Sequence, residues 1–166
     1  MEKDLMPGKV LTQLLDMRRT SLAVHNGTPH SLENVASIND VVYVNDSKAT
    51  FLDATLGSLS QMSNKVVWIC GPITSDLGQG YVQELLEERV ASVIVFGAFD
   101  NNDPAMLKPF AGPLYFAEEL RTAVFLGREL AQPGQTVLFS PACPSGSGFA
   151  NYEERGVEFK RAVKDL

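Results

Sequence analysis

The run Lys65-Val66-Val67-Trp68-Ile69-Cys70-Gly71-Pro72 decides the fold. Its apolar residues follow one another without polar interruption, and Gly-Pro ends it. A strand with one wet face alternates apolar and polar residues, whereas a strand apolar throughout belongs to a sheet covered on both faces. Similar runs lie on either side, at Val41–Val44, at Ala91–Phe96 closed by Gly97, at the short Leu114–Phe116, and at Thr136–Ser140. Between them apolar residues recur at helical spacing: Leu52, Thr55, Leu56, Leu59 and Met62, then Tyr81, Val82, Leu85 and Leu86, then Leu120, Val124 and Leu130. Pro133-Gly134 breaks the third helix, and a last helix is predicted from about Asn151 to Asp165. This rhythm predicts an α/β, doubly wound, mainly parallel sheet with helices on both faces.

Upstream, Ser31–Ser37 and Asp40–Val44 are predicted as two strands joined by the turn-forming pair Asn39-Asp40. Residues 1–27 read as an N-terminal appendage, with a short amphipathic helix at 9–18 carried by Val10, Leu11, Leu14 and Leu15 and no recognisable chemistry. A chain of 166 residues, 45% of them hydrophobic, fits one cored domain over 28–166 plus that appendage. No apolar run approaches the roughly 20 residues that span a bilayer. The start Met1-Glu2-Lys3-Asp4-Leu5 does not resemble a signal peptide, so the expectation is a soluble, cytoplasmic protein with no membrane partner. A net charge of −6 argues against general nucleic-acid binding. Cys70 and Cys143 are too far apart in sequence for a C-x-x-C pair and are expected to be buried thiols, and with His25 and His30 clustered early no metal site is expected.

Ligands of such sheets bind beyond the carboxyl ends of the strands, which singles out three loops: Asn45–Thr50, Gly71–Gly80 and Pro141–Ala150. In the opening loop, Asn45-Asp46-Ser47-Lys48-Ala49-Thr50, Asp46 or Ser47 suits a helix N-cap. Lys48 would then face the positive end of the helix dipole at a cost of a few tenths of a kcal/mol or more, which makes sense where an anion is to be bound. The closing loop, Ser140-Pro141-Ala142-Cys143-Pro144-Ser145-Gly146-Ser147-Gly148-Phe149, is built of small residues that let backbone N–H groups approach a ligand, or else is an ordinary strand-to-helix connection. Asn151 and Glu154 form a capping-box-like start for the last helix. No G-x-S-x-G, no G-x-x-x-x-G-K-[ST] and no complete dinucleotide fingerprint is present, Gly78-Gln79-Gly80 lacking the third glycine, so no catalytic nucleophile is assigned.

Two of these loops carry a resemblance. Tyr43-Val44-Asn45-Asp46-Ser47-Lys48-Ala49-Thr50, with Ala54-Thr55 behind it, resembles the motif that opens the C-terminal domain of the D-glutamate-adding Mur ligases. Leu138-Phe139-Ser140-Pro141-Ala142-Cys143, Ser145 and Phe149-Ala150-Asn151-Tyr152-Glu153-Glu154-Arg155-Gly156 resemble the closing motif, and Pro29-His30 with Glu33 resemble the segment that begins the domain. The resemblance implies a Rossmann-like domain that closes over an ATP-binding central domain, in cis or on a partner chain, which would bring ATP and Mg. It implies that ATP phosphorylates the carboxylate of the UDP-muramoyl-alanine substrate, and that the amine of D-glutamate attacks the acyl phosphate. Carried over by position, Asp46 and Lys48 would face the nucleotide and its phosphates. Thr50, Ser145 and the backbone at Tyr152 would hold the carboxylates of the amino acid.

The departures are as specific. Where the family has an arginine after Pro-His, this chain has Ser31. Where the second loop of the family carries a lysine for the amino acid, the run Cys70-Gly71-Pro72-Ile73-Thr74 places Thr74. Each lost charge-assisted contact is worth about 1.5–3 kcal/mol, one to two powers of ten in affinity. The alternatives are therefore a ligase part without activity of its own, a non-catalytic binding or regulatory module derived from it, and a related amide-ligase domain, such as that of folylpolyglutamate synthases, with altered amino-acid choice.

Overall fold

The structure is a computed structural model that describes residues 28–74, 80–97, 110, 112–146 and 148–166. The expected helix at 9–18, the segment 75–79 and Ser147 lie outside the described residues. Six strands and four helices are formed among the described residues: β1 (Glu33–Ile38), β2 (Val41–Asn45), α1 (Leu52–Gln61), β3 (Val66–Cys70), α2 (Gly80–Arg89), β4 (Val90–Phe96), β5 (Leu114–Ala117), α3 (Leu120–Leu130), β6 (Thr136–Phe139) and α4 (Tyr152–Lys164). The sheet order is β1-β2-β6-β3-β4-β5. β1 is antiparallel to β2, and every other neighbouring pair is parallel. Asn39 and Asp40 both take left-handed backbone angles, φ 51° and 61°, as a two-residue hairpin turn requires.

The run that opened the sequence reading lies in the sheet's interior, between β6 and β4, and all of Val66–Cys70 is buried. Successive strand residues point to opposite faces. Val66, Trp68 and Cys70 therefore pack with Leu52, Leu56 and Leu59 of α1 and with Val82 and Leu86 of α2. Val67 and Ile69 pack on the other face with Leu120, Ala123 and Val124 of α3 and with Phe159, Ala162 and Val163 of α4. Tyr81, read as part of the apolar stripe of its helix, is instead exposed. It stands in the first turn of α2, whose buried residues are Val82 and Leu86.

Two boundaries differ from expectation with a consequence. The first strand begins at Glu33 rather than Ser31, because His30 and Leu32 take left-handed backbone angles (φ 64° and 45°) that a ladder does not admit. The helix after β2 begins at Leu52, capped by the extended backbone of Phe51 with no side-chain bond, so neither Asp46 nor Ser47 is a helix cap.

The order of strands places the site. The chain leaves β2, passes β6's position to form β3, runs outward through β4 and β5, and returns to insert β6 between β2 and β3. The loops after β2, β3 and β6 thus leave three adjacent strands from the same end of the sheet, where such folds bind ligands.

Candidate ligand site at the carboxyl end of the sheet

The opening loop is organised by its own short side chains. Asn45 Oδ1 accepts from the Ser47 N–H at 3.2 Å, an Asx turn, and the Asp46 carbonyl accepts from the Ala49 N–H at 3.0 Å. Asp46 points inward and is only 3% exposed. Its Oδ1 accepts from the Leu32 N–H at 3.1 Å and its Oδ2 from the Ser140 hydroxyl at 2.7 Å. Burial raises its pKa above the ordinary carboxylate value, while the bonds from Ser58, Ser140 and Leu32 oppose the rise. Ser140 in turn meets Thr55 Oγ1 at 2.8 Å, and its carbonyl accepts from the indole of Trp68 at 2.8 Å. Asp46 therefore stitches the segment before β1 and the start of the closing loop to the end of β2.

That earlier segment is also fixed. The His30 N–H donates to Glu33 Oε2 at 3.0 Å, and the His30 carbonyl accepts from the Lys48 N–H at 2.9 Å. The Asn45 side-chain amide donates to His30 Nδ1 and to Glu33 Oε2, both at 2.9 Å, which makes Nδ1 the acceptor and places the ring proton on Nε2. Gly156 of α4 lies so close to this ring that a Cβ there would sit 2.1 Å from Nδ1. Lys160 Nζ binds Glu33 Oε1 at 3.1 Å. Burial alone would raise the Glu33 pKa, but the bonds from His30, Lys160 and Asn45 outweigh it and hold the carboxyl below its usual range.

The closing loop is held from outside. The Pro141 carbonyl accepts from the Gly71 N–H at 2.9 Å, and the Ala142 N–H donates to the Ala49 carbonyl at 3.1 Å. Ala142 has φ 56°, an unfavourable angle for a residue with a Cβ. A Cβ on Gly71 would lie 2.3 Å from Cys143 Sγ, so the second loop touches the closing loop through a residue with no side chain. Cys70 is buried and Cys143 half-buried. Burial pushes the Cys143 thiol above its ordinary pKa despite the neighbouring Arg155, which leaves it mostly un-ionised. Asn151 caps α4 as expected, accepting from the Glu154 N–H at 2.8 Å, while Glu154 Oε2 accepts from the Ala150 N–H at 2.9 Å.

Opening and closing loops meet at Ser47 and Arg155, to neither of which the sequence assigned a binding or joining role. Ser47 Oγ donates to the Tyr152 carbonyl at 2.7 Å, and Arg155 Nε donates to Ser47 Oγ at 3.1 Å. Arg155 Nη2 donates to the Ser47 carbonyl at 2.9 Å, and Nη1 donates to the carbonyls of Cys143 and Pro144, both at 3.1 Å. Lys48 precedes the helix, whereas Arg155 is the fourth residue of one, behind Glu153 and Glu154. The cation at a helix start is thus Arg155, and its place four residues after the predicted cap Asn151 was legible in the sequence.

A cavity of about 260 Å³ opens here, lined by Pro72, Thr74, Phe96, Ala142 to Pro144, Gly146 and Arg155. It is smaller than the roughly 300–1,000 Å³ of drug-sized pockets. Of the five residues expected to bind, Lys48 is exposed, Thr50, Ser145 and Tyr152 are half-buried, and Asp46 is turned inward. The Tyr152 carbonyl is occupied by Ser47. The ammonium of Lys48, the hydroxyl of Thr50 and both donors of Ser145 have no partner among the described residues. Thr74, where a lysine was missed, is exposed at the cavity wall. No group of three or more His, Cys, Asp or Glu suited to a metal occurs among the described residues.

A mainly parallel sheet whose three carboxyl-end loops are hydrogen-bonded to one another, with a small cavity between the second and closing loops, is a domain of the Rossmann-like α/β class. The chain is homologous to the C-terminal domain of the UDP-N-acetylmuramoylalanine–D-glutamate ligases, in the Mur ligase family. It is 36% identical over 170 aligned residues to the UDP-N-acetylmuramoylalanine–D-glutamate ligase of Christiangramia forsetii, an alignment covering 99% of this chain and 38% of that enzyme. The chain thus spans little more than a third of that relative's length. Among solved structures it is similar to the UDP-N-acetylmuramate–alanine ligase of Thermotoga maritima (TM-score 0.53, 16% identity, 92% of this chain and 36% of that one). It is also similar to the bifunctional folylpolyglutamate synthase/dihydrofolate synthase of Yersinia pestis complexed with AMPPNP and Mn ion (TM-score 0.50, 16% identity, 84% of this chain and 32% of that one). No family model matches the chain.

Proposed function

We propose that this chain is the amino-acid-binding C-terminal part of an ATP-dependent ligase that adds D-glutamate to UDP-N-acetylmuramoyl-L-alanine in the cytoplasm, for peptidoglycan synthesis. It works only together with the ATP- and Mg-binding central part of such an enzyme, in cis or on a partner chain. The observation that carries the reading is the junction of the two motif loops: Ser47 and Arg155 bind across them, beside a small cavity. Thr50, Ser145 and the backbone at Tyr152 receive the carboxylates of D-glutamate. Lys48, exposed and with no partner for its ammonium among the described residues, meets the phosphates of the nucleotide. Asp46, with both oxygens engaged inside the domain, serves the nucleotide side by fixing where Lys48 stands. No covalent step falls to these residues. Their contribution is orientation of the amine and stabilisation of charge.

Ser31 and Thr74 favour a second reading, a binding module that kept the fold and lost turnover, since two cations of the family site are absent. Calorimetric titration of the chain with D-glutamate, L-glutamate and ATP separates the two. Saturable binding of D-glutamate, weakened roughly tenfold by Ser145→Ala, supports the ligase reading. Silence toward all three ligands supports the module. Steady ADP release by the 166-residue chain alone would contradict its dependence on another part.

A further inference from the structure

Arg155 is 1% exposed and sits in the first turn of α4, where the helix dipole disfavours a cation. A guanidinium taken out of water is costly unless its donors and its charge are both met. Each of its three nitrogens has an acceptor among Ser47 Oγ and the carbonyls of Ser47, Cys143 and Pro144. Its charge is not: no carboxylate pairs with it among the described residues, and its one ionisable neighbour, Cys143, is a thiol. The cavity that it lines is also lined by Pro144 and Gly146, while Ser145 between them is half-buried and adjoins the cavity only through these two neighbours. A trans peptide directs its C=O and N–H in opposite directions. With the Pro144 carbonyl turned toward Arg155, the Ser145 N–H is turned away from it and left without a partner among the described residues. The Cys143 carbonyl can turn the same way without stranding a donor, because Pro144 has no N–H.

We infer that Arg155 is a positioning residue for an anionic ligand of this cavity: it locks the opening and closing loops into one unit, presents the donors of Ser145, and keeps a positive charge that the ligand's carboxylate balances. The inference rests on the reading of Ser145 as an amino-acid-binding residue. It adds the group that makes Ser145 competent and gives the site its preference for charge.

Two measurements on the full chain test it. Hydrogen exchange is followed across residues 45–50 and 140–150 in wild type, Arg155→Lys and Arg155→Met. The expected result is a roughly tenfold or greater acceleration in both loops of Arg155→Met, with β3 and β4 unchanged and Arg155→Lys between the two. Calorimetry then compares D-glutamate with D-glutamine, which carries one negative charge fewer. Arg155→Met should lose about tenfold or more toward D-glutamate and narrow its advantage over D-glutamine, and Arg155→Lys should restore that advantage even where affinity stays lower. Exchange that changes in neither loop, or in one alone, overturns the clamp. An equal loss for both ligands, without rescue by lysine, overturns the role of the charge. If the wild type binds neither amino acid, the proposed function and the ligand half of the inference fall together, while exchange still decides the clamp. Should Arg155→Met not fold, Arg155→Lys is read against wild type in the same two assays.

Discussion

The opening and closing loops leave neighbouring strands and are joined where the Ala142 N–H meets the Ala49 carbonyl, yet they are held in opposite ways. Residues 45–49 make their own structure: an Asx turn from Asn45, a carbonyl of Asp46 returned to Ala49, and a carboxylate of Asp46 that gathers Leu32 and Ser140. Residues 141–146 have little of their own. Their carbonyls go to Gly71 and Arg155, the Ala142 N–H to Ala49, and Ala142 itself keeps a left-handed angle. A loop coded by short polar side chains can be recognised from its residues. A loop held by a buried cation eleven and twelve residues beyond the carbonyls it binds, and by a glycine just past the end of another strand, can be recognised only once those partners are in place.

The contrast can be broken most forcefully where α4 meets the opening side. Gly156→Ala would drive a Cβ into the rigid His30 ring, which Asn45 and the helix hold on both sides. Overpacking of this kind costs about 1–3 kcal/mol, near the upper end here because a ring cannot rotate out of the way as a chain end can. Urea unfolding followed by the fluorescence of Trp68, the single tryptophan, should show a lower midpoint with an unchanged slope. Next comes Ser140→Ala, which takes one bond from the Asp46 carboxylate and one from Thr55 inside the domain. The expected loss is about 1.5–3 kcal/mol at most, by the same measurement, and an unchanged midpoint would show that the closing loop does not depend on Asp46 for its start.

The two buried-side carboxylates give opposite pH dependences. Asp46 has a folded pKa above its unfolded value, so the folded state binds the proton more tightly. Wild type should therefore gain stability relative to Asp46→Asn as pH falls from neutrality through the folded pKa of Asp46. Glu33 has a folded pKa below its unfolded value, so its contribution is present above the unfolded pKa and is lost as pH falls through the folded one. Urea midpoints of wild type, Asp46→Asn and Glu33→Gln from pH 7 down to about pH 3 check both signs, the Glu33 effect emerging only below its unfolded pKa, and parallel curves for all three proteins over that range would contradict them. The smallest effect is expected at Lys48→Ala, an exposed residue whose ammonium has no partner among the described residues: within about 0.5 kcal/mol of wild type in the same unfolding assay. A larger loss would mean that Lys48 belongs to the loop's own structure rather than waiting for a ligand.

Much of the fold was legible because it depends on local pattern. The unbroken apolar run Val66–Cys70 and the mostly apolar run Ala91–Phe96 marked strands covered on both faces, the Asn39-Asp40 pair could form its turn at little cost, and Asn151 with Glu154 marked a helix start. The opening loop was legible as a site but not as a geometry, because good N-cap residues at Asp46 and Ser47 were used instead for a turn and a buried carboxylate. Competition between local hydrogen bonds and helix capping has no fixed winner in a sequence, and here the partners Leu32 and Ser140 decided it.

The sequence by itself determined the class of sheet, the ends of strands where a ligand must bind, and the residues of two motif loops, since apolar periodicity, turn chemistry and motif spacing act over a few neighbouring residues. Only the tertiary structure decided that Asp46 faces inward and Lys48 outward, and that Arg155 rather than Lys48 is the cation lodged against a helix start. The physical reason is that a charge's role depends on what surrounds it in space: removed from water, it takes whatever oxygens the fold brings within reach, and those of Ser47 lie over a hundred residues away along the chain.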